Sequence, residues 1–161
     1  VSSVSPDAAD RVVAAAAGRG LEIELRDRPH ATSLVEAATL MGIDPSDIVK
    51  TLVVKGSGDD SYYFALVPGG RKISWPKLRA LVGVNKLRLP EPELALAATG
   101  FERGTIVPIG SIRDWPIYAD ETIVGRRVAM GSGSAAKQLF VDADALIAAY
   151  GAIVADISDP E

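Results

Sequence analysis

Lys50 is the one ionised side chain in the run Ile48-Val49-Lys50-Thr51-Leu52-Val53-Val54. Runs of this length, rich in β-branched residues and bounded here by Pro45 and Gly56, read as interior strands. An ammonium group in such a strand either snorkels to water or lines a cavity. In the first case Lys50 is a strand-end residue with a solvated head. In the second it is a cation that holds negative charge developing on a substrate.

Two glycine-rich stretches are the other candidates. Residues 100–110 read Gly-Phe-Glu-Arg-Gly-Thr-Ile-Val-Pro-Ile-Gly. Three glycines and a proline among apolar residues describe a partly buried loop pinned in a special shape, whose N–H groups can point into a cavity. A purely structural turn has the same composition. Gly131-Ser132-Gly133-Ser134-Ala135-Ala136-Lys137 superficially resembles a phosphate loop, but the pattern G-x-x-x-x-G-K-[ST] fails, so a hairpin turn is expected.

Other chemistries find little support. His30 is the single histidine, no G-x-S-x-G elbow is present, and a Ser-His-Asp triad is not expected. One histidine, no cysteine and no D-x-D-x-D-G loop leave no recognised metal-ligand spacing, so neither a metal nor another cofactor is expected. The lack of cysteine also removes disulfides and a thiolate nucleophile.

The chain has 161 residues, enough for one core, and residues 1–161 are expected to form a single domain. Hydrophobic residues at 48% and charged residues at 24%, without a membrane-length apolar run, describe an ordinary soluble protein. No leader pattern opens the chain, so a cytoplasmic location without membrane contact is expected, and Val1 points to a trimmed or truncated start. The net charge of −4 disfavours wrapping a long duplex, and DNA is not an expected partner. Between residues 71 and 88 the balance reverses, with Arg71, Lys72, Lys77, Arg79, Lys86 and Arg88 and no acid. This is either a solvated face or a small phosphate-binding footprint.

The positioning elements follow from local signals. Ser5-Pro6-Asp7 opens an alanine-rich helix, and residues 21–25 alternate like a half-buried strand. Ser33 and Glu36 have capping-box spacing for a helix ended by Gly42. Residues 50–67 read as a hairpin across Gly56 to Asp60. Ser74 caps a helix through Leu81, residues 84–89 alternate like an edge strand, and residues 92–99 form a helix stopped by Gly100. Residues 117–119, 126–130 and 138–141 are further strands, and Asp142 caps a last helix toward Tyr150. The pattern predicts an α+β fold with a mixed, mostly antiparallel, barrel-like sheet surrounded by short helices.

Taken together, Val49 to Val54, then Ala98-Thr99-Gly100-Phe101 running into residues 104–110, then Tyr118-Ala119-Asp120-Glu121, resemble the YbaK and prolyl-tRNA-synthetase-associated editing family. The similarity spans residues 21–154. It implies a free-standing, trans-editing deacylase that hydrolyses the ester of mischarged aminoacyl-tRNA, with a small amino acid on tRNA(Pro) or similar. It further implies catalysis without metal or cofactor, leaning on substrate hydroxyls and an ordered water. Lys50 stands at the family's functional lysine. Gly104, Thr105, Ile106, Val107 and Pro108 match its G-x-x-x-P loop, which shapes the amino-acid pocket, and Gly131, Ser132 and Gly133 form a turn near that pocket. Arg71, Lys72, Lys77 and Arg79 are then expected on the tRNA acceptor end, and prolyl-tRNA synthetase is an associated partner. Relatives often carry a basic residue or histidine after the turn, where this chain has Ser134-Ala135-Ala136. The alternatives are an inactive relative that binds tRNA or a synthetase, and a small-ligand-binding domain.

Overall fold

The computed structural model describes residues 8–161. The Ser5-Pro6-Asp7 cap lies outside them, and the helix it was expected to open runs as α1, Ala8–Gly18. Strand β1, Ile23–Asp27, begins two residues later than the alternation suggested. Helix α2, Leu34–Met41, is capped by Ser33, whose hydroxyl accepts from the Glu36 N–H, and ends at Gly42 in the left-handed region. The expected reciprocal cap is displaced. The Glu36 carboxylate accepts instead from the hydroxyl (2.8 Å) and N–H (3.4 Å) of Thr32, one residue before the cap, which hold it away from the Ser33 N–H.

The central sheet is ordered β2, β3, β5, β8, with β2 Val49–Lys55, β3 Tyr62–Pro68, β5 Ile117–Asp120 and β8 Ile153–Ala155. The β2–β3 hairpin is antiparallel as expected, whereas β3–β5 and β5–β8 are parallel. Period-two alternation divides β3 between two apolar layers. Tyr62, Phe64 and Leu66 face one core with Val53, Ile117 and Val107, and Ala65 and Val67 face a second with Val54, Leu78 and Ile157. A strand covered on both faces reads as a continuous apolar run. Each fully covered side chain of this size contributes about 1.5–3 kcal/mol.

The second sheet is ordered β1, β7, β6, with β6 Arg127–Met130 and β7 Lys137–Asp142 antiparallel across the Gly131-Ser132-Gly133 turn. A single parallel bridge, Ile48 to Ala129, links it to the central sheet. The third sheet pairs β4, Arg71–Ile73, with β9, Ser158–Pro160. The α+β, mixed and mostly antiparallel expectation holds. No closed barrel forms: among the described residues the strands make three sheets, and one bridge joins the two larger ones. Helices α3, Trp75–Val82, α4, Pro92–Thr99, and α5, Ala143–Tyr150, each end on a left-handed glycine, at Gly83, Gly100 and Gly151. Residues 84–89 keep only one bridge, Arg88 to Lys55, rather than forming a strand. Among the described residues no helix is long and apolar enough to cross a membrane.

Asp120, fully buried at the end of β5, straps the C-terminal segment down. It accepts from the Ile157 N–H (3.1 Å), the Ser158 hydroxyl (2.8 Å), and the N–H and hydroxyl of Thr122. Arg71 donates to the Ser158 hydroxyl and carbonyl, and Lys77 pairs with Asp156 and Asp159. Burial raises the Asp120 pKa, but the hydrogen bonds outweigh it and hold the carboxyl below its ordinary value. A depressed folded pKa contributes stability above the ordinary carboxylate range of about 4, lost as pH falls through the folded value. Asp120→Ala is expected to cost about 3 kcal/mol in urea melts at pH 7, since it strands buried donors. The acid limb of its stability curve should be flatter than that of the parent.

Candidate active site

Hydrogen-bond parity decides which way the backbone of β2 points. Gly69 N–H donates to Ile48 O (2.8 Å) and Gly56 N–H donates to Ser61 O (2.7 Å), so in this antiparallel register the even-numbered residues of β2 bond to β3. Val49, Thr51, Val53 and Lys55 turn their N–H and C=O groups to the other side. That side is a sheet edge. Among the described residues it is tied at its two ends only, by the Ile48–Ala129 bridge and by Lys55, which exchanges bonds with Arg88 (2.8 and 3.0 Å).

Between the ties the edge borders a cleft of about 720 Å3. Its apolar lining includes Leu34, Ala37, Val49, Val53, Ile106 and Met130. Its charged lining among the described residues is Arg28, Lys50, Arg103 and Lys137, with no Asp or Glu. Lys50, the second residue of β2, is exposed and lines the cleft, and its ammonium makes no hydrogen bond or ion pair. Arg103 is likewise exposed and unpaired. Arg28 donates to Gly104 O (3.2 Å), and Lys137 pairs with Asp27 (2.6 Å), which lowers the Asp27 pKa. Asp27 offsets the charge of Lys137, and the unpaired Lys50 and Arg103 make a local positive field that concentrates anions.

The two glycine-rich stretches form one wall. Gly133 N–H donates to Thr105 O (2.9 Å), and Gly131 lies so close to the other loop that a Cβ there would stand 2.4 Å from Ile106 O and 2.8 Å from Thr105 O. Of the expected binding residues, Gly104, Ile106 and Gly131 line the cleft. Thr105, Val107, Pro108, Ser132 and Gly133 stand behind them. Val107 and Pro108 are buried, the Thr105 hydroxyl donates to Glu102 O, and the Ser132 hydroxyl donates to Ser134 O and Lys137 O. From α1, Arg11 donates to Gly110 O (2.6 Å) and Gly100 O (2.8 Å), closing the 100–110 loop at both ends.

Arg71, Lys72, Lys77 and Arg79 do not line the cleft. Arg71 and Lys77 are engaged by the C-terminal strap, whereas Lys72 and Arg79 hold no ion pair. His30 is exposed and also outside the lining. Sequence reasoning missed Arg28, Arg103 and Lys137. The first two lay in plain view beside Pro29 and Gly104, but nothing local said that they line one cleft.

The aminoacyl-tRNA editing domain model matches residues 28–149. The chain belongs to the aminoacyl-tRNA editing domain family. It is 36% identical over 102 residues to a proline–tRNA ligase of Thermosipho melanesiensis, covering 63% of this chain and 18% of that protein. It is also 36% identical over 111 residues to a proline–tRNA ligase of Shouchella clausii, covering 68% and 19%. The chain thus spans about a fifth of the length of these relatives. A crystal structure described as a candidate trans-editing enzyme for prolyl-tRNA synthetase superposes with a TM-score of 0.85 at 33% identity, covering 98% of this chain and 99% of that one. The editing-domain match includes the whole cleft lining, from Arg28 to Gln138.

Gly131→Ala is the sharpest probe of this wall. Its methyl group must push the 104–108 loop away, and overpacking of this kind costs about 1–3 kcal/mol. Thermal melts should register that loss. Gly70→Ala, where open space surrounds the Cβ position but φ is +83°, should show only the smaller cost of a left-handed backbone.

Proposed function

We propose that this chain removes the amino acid from mischarged tRNA by ester hydrolysis, acting in trans on a small aminoacyl group carried by tRNA(Pro) or a similar tRNA. The observation that carries this reading is the cleft itself, whose lining among the described residues combines apolar side chains with four cations, of which Lys50 and Arg103 are unpaired, and no carboxylate. The acceptor terminus is a polyanion with an uncharged, small side chain at its end, and both parts match. A separate editing site is needed because one methylene discriminates by only about 1–3 kcal/mol in a synthetase pocket.

In this mechanism Lys50 stabilises the oxyanion that forms on the ester carbonyl, or fixes the terminal ribose during attack. The attacking oxygen comes from water or is assisted by a substrate hydroxyl, since no histidine lines the cleft. Neither metal nor cofactor takes part. Arg28 and Arg103 hold phosphates at the cleft mouth, and Lys72 and Arg79 reach the acceptor stem. Prolyl-tRNA synthetase is the associated partner. The lack of a lining histidine also suits a relative that binds tRNA without hydrolysing it, and a panel of charged and mischarged tRNAs separates the two. Release of label from at least one mischarged pair is expected, and binding without release from any would favour the inert reading.

Lys50→Ala should lower deacylation by on the order of 10²-fold, the range for losing a preorganised electrostatic donor. Stability should change by no more than about 1 kcal/mol, because the lysine has no partner to orphan. Lys50→Arg should also be strongly impaired, as a planar fork replaces a compact head. Turnover is expected to survive thorough chelation with EDTA.

Arg103→Ala should raise KM and flatten the salt dependence by about one counterion with little change in kcat. Lys77→Ala should instead lower the melting temperature and leave KM alone, because its charge is spent on Asp156 and Asp159. An unchanged KM in Arg103→Ala would return that residue to the solvated surface.

A further inference from the structure

The open edge of β2 has a cause in the sequence. Lys55 and Arg88 form a doubly bonded antiparallel pair. Extending that register two residues along each chain sets Val53 opposite Pro90, and two more sets Thr51 opposite Pro92. These are the positions at which a pairing strand would have to donate an N–H to the outward carbonyls of Val53 and Thr51. Proline has no N–H to give. Pairing therefore stops at Arg88, although residues 84–89 alternate like a strand, and both prolines remain as cleft lining.

Two main-chain carbonyls are thus kept free on the border of a cleft whose charged side chains, among the described residues, are all cationic. Resting on the deacylase reading, the substrate carries an α-ammonium group next to the scissile ester. That group needs acceptors and would be repelled by Arg28, Lys50, Arg103 and Lys137. Among the described residues no carboxylate in the lining can receive it. We propose that the free Thr51 and Val53 carbonyls of β2 receive the α-ammonium of the aminoacyl group, so that the strand edge, kept open by Pro90 and Pro92, distinguishes a 2-aminoacyl ester from other acyl esters.

Recognition by main-chain carbonyls rather than by a carboxylate has two physical consequences. It imposes no net negative charge on a site that must also attract phosphates. It also sets the ammonium by strand geometry, which is rigid, rather than by a rotatable side chain. The amino-acid side chain is then free to be read by the apolar floor.

The test uses two non-hydrolysable probes, 3′-amino-3′-deoxyadenosine carrying an alanyl group and the same nucleoside carrying a propionyl group, both amide-linked. They differ only in the α-ammonium. Binding to the full chain at pH 7 is followed by titration of the 13C-labelled protein. The alanyl probe is expected to bind on the order of 10- to 100-fold more tightly, as for loss of a hydrogen bond to a charged group. It should also move the carbonyl 13C resonances of Thr51 and Val53, and the propionyl probe should not. Equal affinity, a preference without movement of those two carbonyls, or no binding of either probe would overturn the proposal. The deacylase reading is tested separately by release of amino acid from mischarged tRNA. Alanyl preference with the carbonyl shifts but no release would overturn that reading and leave this one standing.

Discussion

The guanidinium of Arg11 sets the shape on which the site depends. It reaches from α1 to the carbonyls of Gly100 and Gly110, ninety-nine residues away at the farther one, and lies over the Phe101 ring at 4.6 Å. A planar fork can serve two carbonyls at once where an ammonium could not hold the same geometry. Hydrogen bonds to a charged donor are worth about 1.5–3 kcal/mol each, enough to offset much of the entropy of ordering an irregular loop. With its ends fixed, the loop drives Val107 and Ile109 into the core and turns Gly104 and Ile106 toward the cleft. The β6–β7 turn then closes on it from the other side, and Gly131 is glycine because there is no room for a methyl group.

The basic residues of this chain fall into two populations, and composition does not separate them. Arg71 and Lys77 are surrounded by acceptors of the C-terminal strap, with Lys77 2.9 Å from both Asp156 and Asp159. Those two contacts raise the pKa of Lys77, as neighbouring carboxylates must. Lys50 and Arg103 have no such neighbours. Exposed ion pairs are worth little individually, yet pairing still removes a charge from the field that an incoming polyanion feels. What distinguishes Lys50 and Arg103 from Arg71 and Lys77 is the absence of a carboxylate within reach, which is a property of the fold.

Much of the architecture was legible because its signals are local. Ser33, Ser74 and Asp142 cap the helices expected of them, and Gly42, Gly83, Gly100 and Gly151 end them in the left-handed region. The hairpin from Lys50 and the β6–β7 turn were equally readable from β-branched runs around glycine. Parallel pairing of β3, β5 and β8 was not, because each crossover carries dozens of residues between partners and leaves no mark in a short window. Strands β8 and β9, three residues each, are too short for alternation to show. Of the cleft lining, Lys50, Gly104, Ile106 and Gly131 were legible, since a lysine in an apolar run and repeated glycines are locally anomalous. Arg11, Arg28 and Lys137 are ordinary arginines and lysines until the fold supplies their neighbours.

Residues 84–89 are where local reasoning met a constraint of another kind. Their alternation suits a strand, and β2 offers them an edge, so propensity and opportunity agree. The outcome is decided by two residues just beyond the run, Pro90 and Pro92, which remove the donors that continued pairing requires. Helix α4 then starts at Pro92, where a missing N–H costs nothing. An unpaired edge is ordinarily a liability, because it invites another strand. Here it is recessed beside a cleft, flanked by Lys50, and tied at both ends, so that a second chain would have to displace Arg88 or Ala129 to pair along it. The same features that protect the edge from another strand leave it open to a ligand short enough to fit between the ties.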